Sequence, residues 1–157
     1  MGKLPGLAAA VVVAMGAAVT MAALPAHAAI TAAEVARAIE AKGHTATVGV
    51  DDDGDPKVTS NIDDVHLTVF FYGCDHGRSC QSITFQAAFH VDGGVPLEKI
   101  NAWNRDKRFL KTWVDKVSDP FCEMDIDAEA GLTPLQLVNY VTLWESHLAE
   151  YKGAMGF

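Results

Sequence analysis

The chain has 157 residues, of which half are hydrophobic, and a formal net charge of −8. This length fits a single domain that is large enough to bury a hydrophobic core. The acidic balance excludes binding that depends on attraction to nucleic acid or to anionic lipid, because such binding needs clustered Lys and Arg.

The first 28 residues have the three parts of a secretory signal. Lys3 is the only charged residue before Glu34, the stretch 4–26 is rich in Ala and Val, and Ala26-His27-Ala28 provides small residues for cleavage. We therefore expect residues 1–28 to be removed, leaving residues 29–157 as an exported domain without membrane attachment. The periplasm is the favoured destination, and the medium and a retained membrane anchor are the alternatives.

The first predicted elements are a helix and two strands. Thr31 and Glu34 form a capping box that begins a helix over residues 31–42. Residues 45–50 and 57–62 are predicted strands, separated by an Asp-rich turn with Gly and Pro. That turn does not have the spacing of an EF-hand, since the glycine and the final carboxylate fall in the wrong positions.

Two longer strands follow. Residues 65–72 alternate between apolar and other side chains, and residues 82–90 repeat this alternation after a polar loop. Such alternation is typical of paired strands, so we predict a hairpin.

The last third contains a helix over residues 96–108, strands over 111–118 and 121–128, and a final helix that begins with Thr133 and Pro134. The order is therefore α-β-β-β-β-α-β-β-α. Runs of strands with separate helices predict an antiparallel α+β domain rather than a doubly wound one. Trp103, Trp113 and Trp144 are expected to anchor the helices to the sheet.

The three cysteines all follow the export signal. Cys74 and Cys80 lie in one loop, and in an oxidising compartment we expect them to form a disulfide, with Cys122 left as a buried thiol. The alternative is a metal site in which Cys74, His76 and Cys80 are joined by a further histidine. In that case the protein would be a small-molecule or metal-responsive sensor or enzyme.

Signs of catalysis are weak in this sequence. No G-x-S-x-G, H-E-x-x-H or Gly-rich phosphate loop occurs. Glu123, Asp125 and Asp127 alternate along a predicted strand and point to one face, where solvent exposure is a simpler explanation than acid–base chemistry. We expect a protein that is not an enzyme and needs no cofactor.

Several blocks of the sequence resemble the YbjN-domain family of bacterial proteins. The most specific block runs from Leu97 through Trp103-Asn104 to Phe109, and others are Phe71-Tyr72-Gly73-Cys74, Asp119-Pro120 and Glu123-Met124-Asp125. The resemblance covers about residues 31–151. It implies a fold similar to type III secretion chaperones, which is a twisted antiparallel sheet packed by helices. It also implies a regulatory role, with no catalytic or cofactor-binding residues. The export signal and the cysteine pair distinguish this chain from cytoplasmic members.

These observations together predict an exported protein-binding or chaperone-like domain. It would recognise a polypeptide of unknown identity, and a homodimer is a further expectation by analogy with secretion chaperones. Two aromatic side chains, Phe70 and Tyr72, would mark the interface if they are exposed rather than covered by a helix. The predicted interaction surface consists of the outward-facing sheet residues His66, Thr68, Phe70, Tyr72, Thr84 and Gln86.

Overall fold

A computed structural model describes Gly2 and residues 29–157 of the chain. The predicted export signal therefore lies outside the described residues. The elements in chain order are α1 (Ala32–Ala41), β1 (Ala46–Val50), β2 (Pro56–Ile62), β3 (Val65–Tyr72), β4 (Ser82–Ala88), α2 (Leu97–Asp106), β5 (Lys111–Val114), β6 (Pro120–Asp127) and α3 (Pro134–Met155). The predicted element order and the α+β class are confirmed.

The six strands form one sheet in the order β1-β2-β3-β4-β6-β5, and every neighbouring pair is antiparallel. The predicted hairpin of β3 and β4 is present, with Phe71 opposite Ile83. β6, the last strand in the sequence, lies inside the sheet between β4 and β5, and β5 forms the edge.

The helices cover one face of the sheet, which we call the helix face. Phe71, Ile83 and Phe85 on this face have no exposed surface. Trp144 of α3 is also fully buried, with its ring centroid 5.7 Å from that of Phe85. Burial of large apolar side chains on both sides of this layer is the main stabilising contribution to the fold.

Two capping boxes fix where α1 and α3 begin. In α1 the Glu34 amide donates to the Thr31 hydroxyl, and the Thr31 amide donates to the Glu34 carboxylate. Thr133 and Gln136 repeat this pattern in α3. The two predicted N-caps are therefore confirmed, as expected from the local residue types.

Several predicted elements were longer than the observed ones, and β4 ends at Ala88 rather than at residue 90. β5 ends at Val114 rather than continuing to 118, because the Asp115 carboxylate accepts hydrogen bonds from the amides of Val117 and Asp119 and closes a turn. α2 begins at Leu97 and ends at Asp106. Among the described residues, none of the helices combines the length and the apolar character needed to cross a membrane.

Candidate functional site: the open face of the sheet

The six residues of the predicted interaction surface all lie on the sheet face opposite the helices, which we call the open face. Tyr72 is 49% exposed and His66 is exposed, whereas Thr68, Phe70 and Gln86 are partly buried. Thr84 is the exception, because it is only 7% exposed between the neighbouring strands. No helix covers Phe70 and Tyr72 in the described part of the chain, so the alternative of burial beneath a helix is not what the structure shows.

The sheet register determines which side chains meet on this face. Thr84 lies between Phe70 of β3 and Asp125 of β6, and Gln86 lies beside Glu123. The acidic residues of β6 therefore adjoin the predicted surface, because β6 pairs directly with β4.

A small network of hydrogen bonds connects these strands. The Thr84 hydroxyl donates to Asp125 Oδ1 at 2.7 Å, and Gln86 Nε2 donates to Glu123 Oε1 at 2.7 Å. Lys111 Nζ of β5 lies 2.9 Å from Glu123 Oε2 and 3.3 Å from Asp125 Oδ2. Polar groups on the open face are thus paired with one another across three strands.

The pKa of Glu123 shows that hydrogen-bond donors surround its carboxylate. Burial by itself would raise the pKa, but hydrogen bonds from Lys111 and Gln86 outweigh burial and hold the pKa below its ordinary value. Glu123 is therefore a carboxylate that is ionised and bound by donors. General acid catalysis at neutral pH needs the opposite shift.

A shallow depression of about 490 Å³ lies beside this network. Tyr72, Thr84, Lys111 and Asp127 are among the side chains that line it. Partial burial and then the nearby charge of Glu123 raise the pKa of Tyr72, so its phenol stays protonated and available as a hydrogen-bond donor. This arrangement can hold a polar or cationic group of a partner against carboxylates and a phenol.

An aromatic pair occupies the other end of the open face. Trp113 of β5 stacks on Phe121 of β6 with ring centroids 4.2 Å apart and an angle of 8° between the planes. Trp113 is 38% exposed. The expectation that all three tryptophans anchor helices was wrong for Trp113, because its position in β5 points to the open face, whereas Trp103 and Trp144 are buried on the helix side.

The predicted disulfide between Cys74 and Cys80 is present. It closes a short hairpin in which Asp75 and Arg78 exchange backbone hydrogen bonds of 2.7 and 2.9 Å. Gly73 has a φ of 63°, and a Cβ at this position would lie 2.8 Å from Gln81 Oε1, so the entry to the loop favours glycine.

The disulfide removes both thiolates that a metal site in this loop would require. His76 is at the tip of the hairpin, and its side chain is 96% exposed. Within residues 29–157, no group of three or more His, Cys, Asp or Glu side chains is placed to hold a metal ion. The carboxylate of Asp51 in the acidic turn instead accepts hydrogen bonds from the amides of Asp53 and Asp55.

Cys122 is a free cysteine in the middle of β6, on the helix face. Burial raises the pKa of its thiol to about 12. A thiol that stays protonated at physiological pH is a poor nucleophile, and this agrees with the prediction that Cys122 acts as a small hydrophobic residue.

Sequence reasoning missed part of the open face. Lys111, Trp113 and Phe121 belong to it, although nothing local in the sequence connects them to β3 or β4. The alternation of Glu123, Asp125 and Asp127 did indicate one common face, but only the pairing of β4 with β6 shows which residues they adjoin.

The chain matches a model of a protein family. The YbjN family, described as a "Putative bacterial sensory transduction regulator", matches residues 31–157. A comparison with curated proteins gives no match. YbjN is not a known enzyme family, and membership suggests a regulatory or adaptor-like role. The match extends over the whole domain that the fold defines, and the protein therefore belongs to the YbjN family.

Proposed function

We propose that this protein is an exported, non-enzymatic domain that binds another polypeptide through the open face, in a regulatory or chaperone-like role. The observation that carries the proposal is the partial exposure of Phe70, Tyr72 and Trp113 on a sheet face that no described helix covers. Large aromatic side chains that remain partly exposed on one contiguous face are enriched at protein interfaces.

The charges of the open face favour a particular kind of partner. Asp125 and Asp127 are exposed carboxylates that line the depression with Tyr72. Lys111 also lines it and is shared between Glu123 and Asp125, which leaves an excess of negative charge among the described residues there. A polypeptide segment that combines apolar side chains with Lys or Arg would satisfy both the aromatic and the acidic groups.

Export is supported by two independent features. The first is the sequence of residues 1–28, and the second is the Cys74–Cys80 disulfide, since disulfides persist in oxidising compartments. Mass spectrometry of the thiol-blocked native protein tests this part of the proposal. We expect a chain that begins at Ala29 and carries one blocked thiol, and three blocked thiols or an intact residue 1 would contradict it.

Site-specific photocrosslinking in the producing cell tests the binding surface. A photoreactive phenylalanine analogue replaces Tyr72 in one variant and Leu135, which is 70% exposed on α3, in the control. We expect a discrete protein adduct at position 72 that is lost when Phe70→Asp is added to the same chain, and no such adduct at position 135. Identical adducts at both positions, or an adduct that survives Phe70→Asp, would contradict binding through the open face.

A further inference from the structure

The two edges of the sheet differ in how their backbone groups are satisfied. At the β5 edge, the side-chain amide of Asn104 in α2 donates from Nδ2 to the Thr112 carbonyl at 2.9 Å and accepts from the Thr112 amide at 2.9 Å. Asn104 thus occupies the place of a residue in a neighbouring strand. None of the hydrogen bonds found outside the strands of residues 29–157 reaches the backbone of Ala46, Val48 or Val50 at the β1 edge.

The register of β1 with β2 shows which of its backbone groups point away from the sheet. Val50 lies opposite Pro56, which has no N–H, and the adjacent Asp51 amide donates to the Asp55 carbonyl at 2.9 Å. Hydrogen-bonded pairs alternate along an antiparallel ladder, so Thr47 and Gly49 direct their N–H and C=O groups to β2. The corresponding groups of Ala46, Val48 and Val50 are directed to the free edge.

The β1 edge also lacks the features that usually prevent edge pairing. No Lys, Arg, Asp, Glu or Pro occurs from His44 to Val50, whereas the β5 edge contains Lys111. Val48 is 52% exposed and Val50 is 63% exposed, although both belong to the helix face. An uncharged edge strand with exposed β-branched side chains is a template for pairing with another chain.

We propose that β1 pairs with β1 of a second copy of this chain, antiparallel and centred on Val48. In this register Val48 lies opposite Val48 of the other copy, and Ala46 lies opposite Val50. The outward N–H and C=O groups of these three residues then form about six backbone hydrogen bonds between the copies. This interface is separate from the open face, so the proposal goes beyond the proposed function.

Charge complementarity favours a second copy over a foreign strand. The same register places Asp52 of one copy opposite His44 of the other, and brings the acidic turn that contains Asp53 next to Lys42. Lys42 Nζ lies 3.0 Å from Glu145 Oε2 and 26% of its side chain is exposed, so it can bind a second carboxylate from the other copy in the way that Lys111 binds both Glu123 and Asp125. The symmetric pairing therefore brings the apolar side chains of the two strands together and adds a carboxylate near Lys42 at each end.

Sedimentation velocity of the native protein, purified from cells that process it, tests the proposal over a roughly hundredfold range of concentration. We expect a monomer–dimer equilibrium in the wild-type protein. Val48→Lys and Val48→Glu should each weaken the dimer at least about tenfold, because like charges then lie directly opposite one another. An equimolar mixture of the two variants should restore the dimer, since Lys and Glu would face each other.

Thr47→Lys is the matched control, because Thr47 is on the same strand but its side chain is on the other face and lies opposite Gly49 of the second copy. It should retain the dimer.

Should Val48→Lys fail to fold, as judged by circular dichroism, Val48→Pro removes the outward N–H and leaves the hydrogen bonds to β2 in place. A monomer at all concentrations would overturn the proposal. So would a dimer that resists both Val48 substitutions, or a foreign polypeptide bound at β1 in place of the second copy.

Discussion

Trp113 and Phe121 stack almost in parallel, with an angle of 8° between their ring planes, on the side of the sheet that lies away from the helices. A stacked pair of this kind covers part of a surface that is otherwise polar. Since Trp144 lies on the opposite face, the two tryptophans offer a direct comparison of surface and core positions.

The first prediction compares these two tryptophans. Trp144→Ala removes a fully buried side chain that packs on Phe85, and should lower the free energy of unfolding by about 3–5 kcal/mol. Trp113→Ala should cost about 1 kcal/mol, because the side chain is already partly exposed. Urea unfolding of both variants measures the difference, and equal losses would contradict the assignment of Trp113 to the open face.

The second prediction concerns the disulfide loop. The double variant Cys74→Ser/Cys80→Ser should lose about 2 kcal/mol of stability, as expected for a short closed loop. Cys80 also exchanges backbone hydrogen bonds of 3.1 and 2.8 Å with Ile30, so the Ile30 amide should exchange with solvent faster. Arg78→Ala, at an exposed position in the same loop, is the control and should leave both the stability and the exchange rate unchanged.

The third prediction is a loss of stability in alkali. Burial raises the pKa of Cys122 from 9.0 to about 12 and the pKa of Tyr151 from 10.0 to about 12. Between pH 9 and 12 the unfolded chain releases these two protons while the folded chain retains them. The unfolded state then binds fewer protons, so the free energy of unfolding must fall as the pH rises through this range.

Tyr151→Phe provides the check on this prediction. The variant loses the contact of 2.7 Å between the Tyr151 hydroxyl and Thr112 Oγ1, and it should be less stable at neutral pH. Its stability should nevertheless decline less steeply in alkali, because one of the two titrating groups is gone. Denaturant unfolding at a series of pH values measures the slope, and an unchanged slope would contradict the role of Tyr151.

The fourth prediction tests the network on the open face. In Lys111→Met, burial of Glu123 continues to raise its pKa while the strongest opposing hydrogen bond is lost, so the pKa of Glu123 should rise. Titration followed by NMR of the Glu123 side chain measures this change. Lys57→Met is the control, because Lys57 of β2 is on the same face but lies opposite Phe70 rather than beside Glu123. It should leave the pKa of Glu123 unchanged from the wild type.

Much of the fold could be predicted because the deciding information is local. Thr31 with Glu34 marks the beginning of α1, and the alternation of residues 65–72 shows which side of β3 is buried. These patterns depend on neighbours within one turn or one strand. Assignment of the paired cysteines was equally local, because only six positions separate them.

The parts that could not be predicted depend on contacts between distant residues. Glu123 meets Gln86 only because β6 is inserted between β4 and β5, and nothing near either residue indicates this order. Trp113 was misassigned for the same reason, since apolar character alone does not identify which face of a short strand is covered. The candidate site is therefore a product of strand order, and the predicted surface contained only its β3 and β4 part.

Asn104 has a consequence for the size of any assembly that this sheet can build. By bonding to the backbone of Thr112 it covers the β5 edge, so within residues 29–157 the β1 edge is the one that remains open to a further strand. The proposed pairing of two copies through β1 uses the open edge of each copy, so no open edge remains in the dimer. A protein with both edges open could continue into a fibre, whereas in the pairing that we propose the Asn104 side chain would limit growth of the sheet to two molecules.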